Sequence, residues 1–273
     1  MKGLSGVILK FLISDRAVIP ALIFKRGPLM ALYSLPYQTF GGPVGSLSEE
    51  IELEYNFRKF SEVAIDDPEY ILKIPGLKLT TAREAFINLS GGYSGVLSRY
   101  SPSRRKIVRK LKKNPPDVRE FKGVSNIPLT YPLYREFAQS KNIQIFPQKF
   151  FYALVEYLYP QNLYGFVAFS GGEPIGYIIN VYGYGEAISF SHVWRQGEKN
   201  LSTFIIDLSI RRAVELELKE FSLGLTDETL SGVLAFKRSF GVDFRPMRTY
   251  WRRTIYHNLA RDIKTGLRKW VKF

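Results

Sequence analysis

The chain has 273 residues, enough for one large domain or two modest ones, and its 45% hydrophobic, 15% aromatic and 23% charged residues exclude a disordered chain. Thirty-nine lysines and arginines against 25 acids give a net charge of +14, which favours polyanionic partners: nucleic acid, phosphorylated cofactors or anionic lipid. With no cysteine and only His192 and His257, disulfides, thiolate nucleophiles, thiolate zinc or iron–sulfur sites and a His-rich metal site are excluded together.

Avoidance of cysteine beside abundant Lys, Arg, Ile and Tyr fits a thermophile. The apolar N-terminal stretch is interrupted by Lys10, Asp15 and Arg16, so no run reaches the roughly 18 residues of a membrane span. Its first apolar run is short for a signal peptide, and no small-residue cleavage site follows. The expectation is a cytoplasmic protein.

Three strand-like runs open the chain, at 7–13, 17–24 and 29–35, the first two joined as a hairpin through Ser14-Asp15-Arg16. A glycine-rich loop follows, Pro36-Tyr37-Gln38-Thr39-Phe40-Gly41-Gly42-Pro43-Val44-Gly45. Ser48-Glu49-Glu50 has the form of a helix start, yet Ile51-Glu52-Leu53-Glu54-Tyr55 alternates at period two, so helix and strand compete there. A strand-like or irregular patch spans 70–79, and Thr80-Thr81-Ala82-Arg83-Glu84 has the spacing of a capping box opening a short helix. Residues 103–113 form a basic helix stopped by Asn114-Pro115-Pro116, and a domain boundary is expected near 115–128.

The second half reads as helices over 131–140 and 148–159, then strands over 163–170 and 174–182 joined at Gly171-Gly172-Glu173, a tight-hairpin signal. A third strand, 186–194, precedes a helix over 201–218 with Leu201, Phe204, Ile205 and Leu208 on one face. A short strand (220–225), a helix (229–240), a strand (244–252) and a basic helix (255–271) complete the chain.

Basic residues are clustered. Ten lie between Arg99 and Lys122, and a second cluster runs from Arg245 to Lys272 with Asp262 as its only acid. Arg104, Arg105, Lys106, Arg109 and Lys110 can contact phosphates of tRNA or of a pyrophosphate-linked substrate, with strong salt dependence; the bland alternative is a solvated helix. Lys237, near the end of a central strand, can act as a point charge on a phosphate or a developing oxyanion, or can face solvent while Phe236 and Phe240 anchor the core. Gly41 and Gly42 can expose backbone N–H groups to an anionic or amide-bearing substrate, or can serve only a chain reversal. Tyr182 and Tyr184 can stack on a base or donate a proton, as against being ordinary strand tyrosines. His192 reads as a structural strand residue, and Asp227-Glu228 as a helix cap or a base.

The order helix, helix, strand, strand, strand, helix, strand, helix, strand over 131–253 resembles the C-terminal domain of the Fem-type aminoacyltransferases and their GNAT-type N-acyltransferase relatives. The matching segments are Ser170-Gly171-Gly172-Glu173-Pro174 with Gly176-Tyr177, the strand-loop Phe221-Ser222-Leu223-Gly224, and Gly232-Val233-Leu234-Ala235-Phe236-Lys237-Arg238-Ser239-Phe240-Gly241. The loop from Ser34 to Gly45 and the basic helix from Ser103 to Lys113 resemble further parts of that family. The resemblance implies an α/β (mixed α+β) chain of tandem GNAT-type domains: a shortened one over 1–122, lacking leading helices and ending in the basic helix, and an acyltransferase domain over 123–273. It implies transfer of an aminoacyl or acyl group from aminoacyl-tRNA or acyl-CoA to a small-molecule or peptide amine, with no tightly bound cofactor and no covalent enzyme intermediate. Lys237 would stabilise charge during transfer, and Tyr37, Gly41, Gly42, Tyr182 and Arg195 would meet substrate.

One departure concerns coenzyme A. Acetyl-CoA-dependent members carry Gln/Arg-x-x-Gly-x-Gly/Ala before the helix, so that backbone N–H groups hold the pyrophosphate. Here the stretch is Trp194-Arg195-Gln196-Gly197-Glu198-Lys199-Asn200, with one glycine and a glutamate, which argues against ordinary CoA binding. The alternative reading is a non-catalytic nucleic-acid or anionic-surface binder on a degenerate GNAT fold.

Overall fold

A computed structural model of the chain describes residues 7–13, 17–26, 29–34, 44–45, 51–53, 55–68, 71–141, 143, 145–195, 197, 200–226 and 230–254. The loop bearing Tyr37, Gly41 and Gly42, and the helix expected over 255–271, lie outside the described residues. By packing, the chain divides into one unit of 1–83 with 246–273 and another of 84–245.

In the first unit, β1 (Val7–Ile13) pairs antiparallel with β2 (Ala17–Arg26), which pairs antiparallel with β3 (Leu29–Tyr33) and with the short β4 (Val44–Gly45). Period-two alternation turns Leu12, Ile19, Ala21, Ile23 and Leu32 into one core. Of the stretch 51–55, Ile51–Glu52 form strand β5, which pairs with β7 (Leu72–Lys73), while β6 (Glu62–Asp67) lies parallel to β3.

The capping-box expectation at 80–84 is overturned. Residues Lys78–Asn88 form one long strand, β8. Thr80 spends its hydroxyl on the carbonyl of Thr249 instead of capping a helix, and Ala85 and Ile87 are buried in a core that a short helix would not reach. The last strand of the described chain, β14 (Asp243–Arg253), is antiparallel to β6.

In the second unit, β9 (Asp117–Glu120), β10 (Leu163–Ser170), β11 (Glu173–Gly183) and β12 (Glu186–Trp194) are antiparallel neighbours, and β13 (Glu220–Thr226) runs parallel to β12. Gly171 and Gly172 take φ of +57° and +85°, the left-handed pair that a two-residue hairpin needs. Helices α3 (Ile127–Ser140) and α4 (Gln148–Leu158) cover one face of this sheet, burying Phe121, Phe151, Tyr177, Ile179 and Phe190. The other face receives α1 (Gly92–Arg99), α2 (Pro102–Lys113) and α5 (Leu201–Glu215) over Ile178, Ala187 and Phe221. Ser101 caps α2 by accepting the amide of Arg104, with Pro102 at the first helical position. Helix α6 (Ser231–Arg238) connects β13 to β14. No described helix is long and apolar enough to cross a membrane.

Candidate functional site

The sheet of the second unit opens beside β12. Its parallel pairing with β13 holds only at Glu186↔Glu220, Ala187↔Phe221 and Ile188↔Ser222. Two residues further the register against β11 slips, Asn180 facing Ser189 and Ile179 facing Ser191, so Phe190 is an extra residue in β12. Such a bulge bends its strand. Here it follows directly on the last β12–β13 pair, where the two strands part.

Helix α6 sends Lys237 to this place. Phe236 and Phe240, four apart, meet edge to face at 5.3 Å, and Phe240 packs on Tyr100 at 5.2 Å, so both rings anchor the helix. Lys237 is only 7% exposed. Its Nζ donates to the carbonyls of Gly224 (2.9 Å) and Leu225 (2.8 Å) and to Thr226 Oγ1 (3.0 Å), which occupies all three ammonium donors. Burial pushes its pKa down to about 8, the charge of Glu84 acting in the opposite direction. At neutral pH the group is a fixed, buried cation bound by neutral acceptors.

A relay of buried groups shapes the carbonyls that Lys237 holds. Gly224 takes φ +77°, and its N–H donates to Ser222 Oγ at 3.0 Å. That hydroxyl donates to Glu84 at 2.5 Å, and Arg245 Nε donates to the other Glu84 oxygen at 2.5 Å. Arg245 also binds Glu220 at 2.9 Å and lies 4.8 Å over the Phe86 ring. Glu186, 3.6 Å from Arg245, has its carboxyl raised by burial, with Arg245 opposing.

From β12, His192 and Trp194 share a face and stack at 5.5 Å with 3° between planes, while Ser189 Oγ lies 3.1 Å from His192 Nδ1. Burial and then the charge of Lys237 push His192 down to about 4, so its imidazole is neutral at pH 7. The neutral imidazole feels the charge of the ammonium, so the site combines an unprotonated ring nitrogen with a fixed positive charge.

Of the described residues that the sequence marks for chemistry, Lys237 lies in this constellation, together with His192, which the sequence marks as structural; Asp227 and Glu228, like Tyr37, Gly41 and Gly42, lie outside the described residues. Arg195 follows Trp194, at the same end of β12, with an exposed side chain. Tyr182 pairs with Ala187, at the end where β12 and β13 are still joined; its hydroxyl donates to the carbonyl of Pro160 and its ring packs on Tyr164. Arg104 is held inside the fold, donating to Ser239 Oγ and Thr203 Oγ1 and lying 4.8 and 4.6 Å from the rings of Phe236 and Phe240. Arg105 caps the end of α1 through the carbonyls of Ser98 and Tyr100. Lys106, Arg109 and Lys110 are exposed on α2.

Sequence reasoning missed Glu84, Ser222 and His192 as members of one site. Glu84 was hidden by its capping-box spacing. The signal for His192 is the run Ser189-Phe190-Ser191-His192, polar on both faces of an otherwise apolar strand, which marks a bulge. Another buried cluster lies away from the parting of the strands: Asp207, fully buried on α5, accepts from Tyr93 (2.8 Å), Tyr100 (3.2 Å) and Arg211 (3.1 Å) and ties α1 to α5.

A mixed sheet with helices on both faces, in which an antiparallel run is followed by one parallel strand, gives the second unit its α+β architecture, and the chain has the GNAT-type fold of the tandem GNAT protein it resembles. The solved structures this chain resembles carry that fold. FemX aligns with 90% of this chain and 88% of its own, at TM-score 0.63 and 10% identity. L-PGS from Bacillus licheniformis aligns over 92% and 87% (TM-score 0.55, 12% identity), and a tandem GNAT protein from the clavulanic acid biosynthesis pathway over 91% and 83% (0.54, 10%). The resemblance to Fem-type proteins therefore holds for the fold. No protein-family description and no curated protein matches the sequence.

Proposed function

We propose that the chain is an acyltransferase that moves an acyl or aminoacyl group from an activated donor to an amine. The observation that carries this reading is Lys237: a buried ammonium with no carboxylate partner among the described residues, at the parting of β12 and β13, in a fold shared with FemX and a tandem GNAT protein. The carbonyl oxygen of the donor gains negative charge as the amine attacks, and the cation stabilises it through space; neutral His192 takes the proton that the amine loses and returns it to the leaving oxygen or sulfur as the tetrahedral adduct collapses, which releases the tRNA or coenzyme A. No covalent enzyme intermediate is involved. The donor is aminoacyl-tRNA or an acyl-CoA, the acceptor a small-molecule or peptide amine. The exposed Lys106, Arg109 and Lys110 and the net charge of +14 favour the tRNA. Within this reading, residues 1–122 are a first GNAT-like repeat and 123–273 the catalytic one, acting in the cytoplasm, with Arg195 on the substrate side.

The test needs no knowledge of the acceptor. Purified protein is incubated with labelled aminoacyl-tRNA or acetyl-CoA, and both donor binding and loss of the acyl group to a mixture of amines are followed. Donor consumption that disappears in Lys237→Met supports the reading. Absence of binding and turnover with both donors overturns it. The exposed cations of α2 also favour a second reading, a non-catalytic nucleic-acid or anionic-surface binder. Salt-sensitive RNA binding, unchanged in Lys237→Met and accompanied by no transfer, supports that one.

A further inference from the structure

The first unit carries a cavity of about 460 Å³ that acyl transfer in the second unit does not use. Its walls come from two turns and one strand: Tyr55, Asn56, Phe57 and Arg58 on one side, Pro75, Gly76 and Leu77 on the other, and Arg252 of β14. Both turns are fixed from within. Asn56 accepts the amide of Arg58 at 3.1 Å, Phe57 and Phe60 are buried, and Tyr55 packs on both rings at 5.0 and 6.3 Å. The second turn closes through the amide of Leu77 and the carbonyl of Ile74, with Gly76 at φ +78°.

Two guanidiniums line this space, and neither has a carboxylate partner among the described residues. One arm of Arg252 donates to the carbonyls of Phe57 (2.5 Å) and Phe60 (3.0 Å), which locks the side chain in place, while its Nε is buried without any acceptor. Arg58 is exposed at the rim. Lys59, on the same turn, places its ammonium 5.2 and 5.3 Å over the rings of Tyr55 and Phe60 and adds to the positive potential. Buried donors are ordinarily satisfied, and arginine held in a fixed fork is the side chain best suited to carboxylate or phosphate.

From this geometry we infer that the cavity is a binding site for a small organic anion, a carboxylate or phosphate carried on an apolar or aromatic body. The charged group meets Arg58 and Arg252, and the body lies against Tyr55, Phe57 and Leu77. A concave site with apolar walls and a few convergent polar groups is the usual form of a ligand pocket. The inference is independent of the acyl-transfer reading.

The experiment titrates the full chain with benzoate, phenyl phosphate and benzyl alcohol by calorimetry, alongside nitrogen-detected NMR of arginine-labelled protein to follow Arg252 Nε. Saturable binding of benzoate or phenyl phosphate at one site per chain is expected, with benzyl alcohol weaker by about tenfold or more, the loss of one charge-assisted contact. Whichever anion binds more tightly identifies the charged group. Arg58→Gln, on an exposed side chain, should weaken the anion by about tenfold at unchanged thermal stability. Leu77→Trp, which fills the space and keeps both arginines, should abolish binding. No saturable binding of either anion overturns the inference, as does binding that both variants leave intact.

Discussion

The Nζ of Lys237 donates to the carbonyl of Gly224 at 2.9 Å, across thirteen residues and the whole turn from β13 into α6. The left-handed Gly224 aims that carbonyl away from the direction a regular strand would give it, and Leu225 and Thr226 complete the cradle. The contact joins a motif on a helix to the strand edge where a donor carbonyl would be polarised.

Lys237→Met should therefore act on chemistry more than on folding. Its side chain has similar length but leaves three acceptors without a donor, while relieving the cost of a buried charge. The net loss should be about 1–2 kcal/mol in urea denaturation. Donor turnover should fall by about tenfold to 10²-fold, because a fixed positive charge acting through space on the developing oxyanion is removed. Lys237→Arg should not restore it, because a planar fork cannot serve three acceptors that converge on one point.

His192 gives a pH signature. Its folded-state pKa of about 4 lies below the value of about 6.5 in an unfolded chain, so the unfolded state binds the proton more readily between those limits. The stabilisation is therefore fully present above pH 6.5 and is lost as pH falls through 4, by up to about 3 kcal/mol. Urea midpoints from pH 4 to 7 should steepen in the native chain relative to His192→Gln. In Lys237→Met the histidine should titrate higher, since the neighbouring cation helps hold it down. An NMR titration unchanged by that substitution would show that the two groups do not sense one another.

Much of the second unit was legible in the sequence because its signals are local: the Gly171-Gly172 turn, the face of Leu201, Phe204, Ile205 and Leu208 on α5, and the Phe236/Phe240 spacing that fixes the face of α6. The expectation for 80–84 failed because capping-box spacing is also strand spacing when the residues pair laterally, and only the partners Thr249 and Arg245 decide it. Arg104 illustrates the same limit. Charge and helical spacing mark it as a phosphate contact, yet two aromatic rings and Ser239, more than 130 residues away, take up its guanidinium. Contacts of such sequence separation leave no local pattern, and the grouping of Glu84, Ser222, His192 and Lys237 depends on them.

Glu84→Gln tests the relay beneath the site. Glutamine keeps the shape but removes the charge that works against desolvation at Lys237, so the lysine pKa should fall below its present value of about 8. It also leaves Arg245 with Glu220 and Glu186 alone, at a cost of about 2 kcal/mol. Carbon-13 NMR of labelled lysine reads the first effect and urea denaturation the second. Loss of stability with the lysine titration unmoved would make Glu84 a purely structural anchor.

The two glycines that bracket the lysine motif should respond in opposite directions to alanine. Gly232 lies inside α6 with no positive φ, and nothing stands within 4 Å of the position an alanine methyl would take. As Gly232 is the second residue of α6, in its first turn, Gly232→Ala should stabilise the chain by about 0.5 kcal/mol, mainly through a less flexible unfolded state. Gly241 has φ +67°, and a Cβ there would meet the carbonyl oxygen of Arg99 at 2.5 Å and its Cβ at 2.6 Å. Backbone strain and collision with a neighbouring main chain act together, so Gly241→Ala should cost at least about 2 kcal/mol. Because the same turn brings Phe240 against Tyr100, the collision should also loosen α6 and lower donor turnover at constant protein concentration. Thermal unfolding of the two variants side by side separates these outcomes. Equal, small effects would mean that the backbone at Gly241 does not hold the left-handed turn on which the placement of α6 and Lys237 depends.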